Sequence, residues 1–223
     1  DSASQTVTKH RHKKGRLRLR EVMVIIMETQ KLKIRDIITV TLLTLINIVI
    51  FFASSLLYLN PITVLLMPVI YGLIEGVVYF AIGTKVKKRG AMLIYCVLRG
   101  ILGGYLPYII CYILAGFVAE FIMAKTGYGS VKGLTLSYVI IELLAALGGT
   151  FYPYVIAADS FFRDAAALVE SGEMNIHVVD AAEILRSWVS VALVAAIIVA
   201  SFVGALIAGK IMKKHLSGMN KSV

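Results

Sequence analysis

Residues 91–124 read AMLIYCVLRGILGGYLPYIICYILAGFVAEFIMA, an apolar run interrupted by Gly100, Gly103, Gly104 and Pro107. As one helix the run would reach about 51 Å at 1.5 Å per residue, well beyond a hydrocarbon core of about 30 Å. Gly103-Gly104-Tyr105-Leu106-Pro107 is strong turn chemistry. The run therefore reads as a hairpin of two membrane spans, 91–103 and 108–124.

Four more apolar runs flank it. Span 37–58 ends at Asn60-Pro61, and span 62–83 carries Pro68 and Glu75 before stopping at KVKKRG, residues 85–90. Spans 134–156 and 188–209 follow. The fold class is thus all-α, a six-helix polytopic membrane bundle. Composition agrees: of 223 residues, 59% are hydrophobic and 16% charged, against about 25% charged in soluble domains. The mean hydropathy is +0.85. A water-soluble enzyme, a disordered chain and a disulfide scaffold are excluded. Cys96 and Cys111 lie in apolar runs and read as buried thiols.

The formal net charge is +10, but the basic residues sit in short blocks rather than in a nucleic-acid patch, so no nucleic-acid partner is expected. Six spans put residues 1–36, 84–90, 125–133 and 210–223 on one side. That side then holds 20 of the 23 Lys and Arg. By the positive-inside rule it is the cytoplasm, with both termini inside a bacterial plasma membrane. A five-span count strands Lys125, Lys132 and the 210–214 cluster outside.

Residues 1–30 read as a basic extension, with Met27 the expected natural start. The alternative is a basic arm for anionic lipid or nucleic acid. The membrane domain runs 31–215, followed by a cytoplasmic tail, 216–223. The outer loop 157–187 is net acidic, and 165–171 and 179–185 have helical composition on either side of Gly172 and Asn175. It reads either as a partly helical cap or as a solvated connector.

Ionisable residues within spans are costly and should face protein or water. Glu75, Arg99 and Glu142 each lie about 12 Å in from the cytoplasmic side, at 1.5 Å per residue. They form either a structural ion pair or a path for coupled ions or protons. Glu120 is shallower and is expected to snorkel towards Lys125. Ala192, Ala196, Ala200, Gly204 and Ala208 make a small residue at every fourth position, for helix packing or for docking a membrane subunit.

Asn60, Tyr105, Tyr108, Tyr152, Tyr154, Asp159, Arg163 and Trp188 gather at the outer level. There they serve either as an interfacial belt or as the lining of a solute pocket. No phosphate-binding loop, His-Glu-x-x-His or Gly-x-Ser-x-Gly occurs, so no catalytic residue and no metal site are expected.

KLKIRDII at 31–38, Pro68-Val-Ile-Tyr71 running on to KVKKRGAM at 85–92, Phe161-Phe162-Arg163-Asp164, and Gly204-Ala-Leu-Ile-Ala-Gly-Lys210 with Lys213-Lys214-His215 carry a resemblance. Over about residues 31–215 the chain resembles the Trep_Strep family, S components of energy-coupling factor (ECF) transporters. The resemblance implies a membrane-embedded binder of a small solute. Its partners would be a transmembrane coupling (T) protein and two ATPases, with ATP used by those partners and no cofactor in this chain. Such components commonly dock through Ala-x-x-x-Ala on the first span. Here that span offers Thr41, Thr44 and Asn47, which leaves the docking face open. A stand-alone secondary transporter using Glu75, Arg99 and Glu142 is the rival reading.

Overall fold

The computed structural model describes residues 31–219. The basic extension up to residue 30, with Met27, and residues 220–223 lie outside the described residues. Every regular element among the described residues is helical: α1 (Ile34–Ala53), α2 (Pro61–Ile74), α3 (Gly76–Lys85), α4 (Ala91–Leu102), α5 (Leu106–Thr126), α6 (Val131–Ala146), α7 (Ala158–Glu170), α8 (Ile176–Leu185) and α9 (Val189–Met219). A 3-10 turn, Ser54–Leu59, follows α1, and a π-helical stretch, Leu147–Ile156, follows α6. Among the described residues, five helical segments are long and apolar enough to cross a membrane, and α4 is a shorter apolar helix. The chain is a multi-pass membrane protein.

Residue chemistry sets the breaks. Asn60 caps α2 by accepting from the Thr63 amide at 3.0 Å, and Pro61 takes the first helical position. Gly104 adopts φ +66° between α4 and α5, a conformation nearly free of cost only for glycine. Gly100 packs on the backbone of Ile109, and Gly116 on Leu93 and Cys96. These close approaches zip α4 and α5 into the expected hairpin.

Glu120 departs from expectation. Its carboxylate accepts from the Met92 amide at 3.1 Å, the Leu93 amide at 3.4 Å and the Tyr128 hydroxyl at 3.1 Å. It thus satisfies orphan donors at the start of α4, where a negative charge is favoured. Lys125 instead lies over the Phe121 ring, 4.2 Å from its centre. Partial burial first, and the neighbouring Glu120 carboxylate next, push the Tyr128 phenol up to about 12.

On α1 the inward face is Val40, Thr44 and Asn47, whereas Leu42, Leu45, Val49 and Phe52 point outward. Polar groups inside and apolar groups outside suit a helix whose solvent is lipid. Helix α9 packs against α2, α3 and α6. Of its small-residue stripe, Ala200, Gly204 and Ala208 are buried, Ala196 is half-buried and Ala192 is exposed. The C-terminal part of the stripe is therefore internal packing. The helix also continues to Met219, past the expected start of the tail at 216.

Candidate functional site

A cavity of about 350 Å³ opens between α2, the end of α4, the start of α5, α6 with its π-helical stretch, and the two helices α7 and α8. Its floor is charged. Arg99 Nη2 donates to Glu75 Oε1 at 2.5 Å, and both side chains are buried. Asn47 Nδ2 donates to Glu75 Oε2 at 3.3 Å and to the Tyr95 hydroxyl at 3.0 Å. The expected meeting of Glu75 with Arg99 is present, and a residue of α1 braces it.

Arg99 and Glu142 both line the cavity, at 3% and 4% exposure. Yet Arg99 Nε and Glu142 Oε1 have no hydrogen-bond partner. Buried polar atoms are nearly always paired, so this donor and acceptor are left on the cavity floor with bonding capacity that water or a solute can fill. Beyond that floor lies close packing of Tyr79, Tyr95, Met92, Met123 and Leu134.

The walls are aromatic. Tyr108 and Tyr112 meet edge to face at 4.7 Å, and the Arg99 guanidinium lies 5.8 Å from the Tyr112 ring centre. Tyr154 and Phe161 meet edge to face at 4.9 Å, joining the π-helical stretch to α7. Phe161, Ala181 and Leu185 bring the α7–α8 segment onto the cavity. That segment is therefore a helical cap, while Asp159, Asp164, Glu170 and Glu183 stay on its exposed side.

The residues expected at a pocket divide. Tyr105, Tyr108 and Tyr154 line the cavity. Tyr152 is outside the lining but stacks edge-on to Tyr105 at 6.5 Å. Tyr105 lies between two helices, and its phenol is raised by burial first and by Tyr152 next. Asn60 is engaged in capping α2, Arg163 donates to Ser160 Oγ at 3.4 Å on the exposed face, and Asp159 is exposed. Trp188 is 78% exposed. These four are not cavity residues.

Sequence reasoning missed Tyr71, Thr150, Pro153 and Phe161 as lining residues. The available signal was Gly148-Gly149 and Pro153 inside an apolar run. The π-helical stretch they occupy has the Ala157 amide donating to the Tyr152 carbonyl at 2.7 Å. Such wide turns occur often at functional sites.

The family model described as hypothetical bacterial integral membrane protein (Trep_Strep) matches residues 34–217. The chain belongs to the Trep_Strep family. No curated protein and no solved structure matches it. In this Trep_Strep protein the matched region begins with α1 and takes in all of the cavity lining. Among the described residues, no group of three His, Cys, Asp or Glu is placed to hold a metal. The two cysteines are free, Cys96 buried and Cys111 half-buried.

Proposed function

We propose that this protein is the substrate-binding S component of an ECF-type ABC importer in the bacterial cytoplasmic membrane. It has six crossings, counting α4, with both termini in the cytoplasm and the cap outside. It is a binder and not an enzyme. It captures a small nutrient at the outward cavity, and a T protein and two ATPases that hydrolyse ATP complete the transporter.

The observation that carries this reading is the blind, capped cavity. It has an orphaned donor and acceptor on its floor and packed core behind them. A cup of that kind suits capture of a solute better than passage of one. Its volume lies at the low end of the roughly 300–1,000 Å³ usual for small-molecule sites. The basic residues at the opposite end of the bundle support the orientation.

Co-purification in mild detergent from the native membrane tests it. The expected result is recovery of two ATPases and a second polytopic protein. Recovery of this chain alone, while a control ECF complex survives the same treatment, would overturn it. The unpartnered Glu142 Oε1 favours one second reading, a proton-coupled secondary transporter. Uptake into vesicles that hold no ATPase, following a proton gradient, would establish that reading instead.

A further inference from the structure

We infer that the cavity takes a small aromatic solute bearing a basic nitrogen for Glu142 and a hydrogen-bond acceptor for the Nε–H of Arg99. The inference deepens the proposed binding role and rests on it for the use of the site.

Charge comes first. The Arg99 guanidinium is already matched by Glu75 at 2.5 Å, and Glu75 is further held by Asn47. Arg99 therefore offers the cavity a directional donor rather than a spare positive charge. Glu142 leaves its Oε1 without a hydrogen-bond partner, and Arg99, Glu75 and Glu142 together carry a formal charge of −1 when ionised. A buried carboxylate is expensive unless it is paired. The group that best completes this floor is an N–H-bearing cation against Glu142, with an acceptor nearby for Arg99.

The walls select in the same direction. Tyr58, Tyr71, Tyr105, Tyr108, Tyr112 and Tyr154 all line the cavity. Tyrosine faces attract cations through the ring quadrupole and accept flat rings by stacking or edge contact. A phosphorylated or dicarboxylate solute meets the opposite treatment. It would approach across a cap on whose exposed side Asp159, Asp164, Glu170 and Glu183 outnumber Arg163 and Arg186, and would reach a floor with no uncompensated cation.

The test uses the full chain purified in mild detergent, with equilibrium dialysis against matched probes. One set is pyridoxamine, pyridoxine and pyridoxine phosphate; the other is 5-hydroxytryptamine, 5-hydroxyindole-3-ethanol and 5-hydroxyindole-3-acetate, whose ring hydroxyl supplies the acceptor. In at least one set the amine is expected to bind at least ten-fold tighter than its neutral and anionic counterparts. Glu142→Gln should abolish that preference, and Glu170→Gln, on the exposed side of the cap, should leave it intact. Failure of the amine to reach that ten-fold preference in either set, absence of any amine binding, or a preference that survives Glu142→Gln would each overturn the inference. Should Glu142→Gln fail to fold, the ranking on the unmodified protein decides. Amine binding by a chain that recruits no ATPases would sustain this inference while refuting the importer role, and recruitment with anion-preferring binding would do the reverse.

Discussion

Gly204 faces Gly72 so closely that a β-carbon on Gly204 would collide with the Gly72 carbonyl oxygen and stand 2.9 Å from that of Leu73. Both obstacles are backbone, which no rotamer change can clear. Gly204→Ala is therefore expected to destabilise the protein by about 1–3 kcal/mol, the usual cost of overpacking. Ala192→Val, on the exposed part of the same stripe, should change stability by no more than about 0.5 kcal/mol. Thermal unfolding in detergent checks the pair, and equal melting shifts would contradict the packing described for α9.

Loss of one member of the Glu75–Arg99 pair leaves a buried charge alone. Glu75→Gln should cost about 3–5 kcal/mol, whereas Glu75→Gln combined with Arg99→Met should cost clearly less than the two single changes added. A double-mutant cycle on denaturation midpoints reads the difference. Simple additivity would mean that the two side chains act independently.

Glu120 holds the first turn of α4. Glu120→Ala should destabilise by about 1–2 kcal/mol, in the range of other lost helix caps. Tyr128→Phe removes one hydrogen bond to the same carboxylate and should cost about 0.5–1.5 kcal/mol. Amide hydrogen exchange in 91–94 should quicken in the Glu120 variant, and unchanged protection there would disprove the cap.

Tyr128 also predicts a dependence on pH. Its folded value of about 12 lies above the ordinary phenol value of about 10. The folded state thus holds this proton more tightly, and the contribution is fully present below about pH 10. It is lost as pH rises through about 12. In Tyr128→Phe the fall in melting temperature over that interval should be shallower than in the unmodified protein, and parallel curves would rule the contribution out.

Much of the architecture was legible because its punctuation is local. Asn60-Pro61 starts a helix, Gly103-Gly104 and Pro107 turn a hairpin, and Gly172 with Asn175 separates the cap helices. The site was legible only in part. Tyr105, Tyr108 and Tyr154 share their level with Tyr152 and Trp188, and rotation about each helix axis decides which ring meets the cavity. Hydropathy carries little of that rotation, because lipid-facing and core-facing positions are both apolar. Glu120 was misread because its partners, Met92 and Leu93, lie 28 and 27 residues away in the chain. The π-helical stretch was hidden because its residues are as apolar as those of any span.

Helix α4 has one more consequence. Its 12 residues amount to about 18 Å, against a hydrocarbon core of about 30 Å. Ile101 and Leu102 are exposed at its end, beside the Gly103–Gly104 turn. If α4 is the sixth crossing proposed above, the acyl chains on that flank have more length than the protein covers, and the deficit is taken up as elastic deformation of the lipid. On the proposed six-span arrangement the mouth of the cavity borders that thinned flank, and the acyl-chain length of the host membrane becomes a control on how well the protein is covered there.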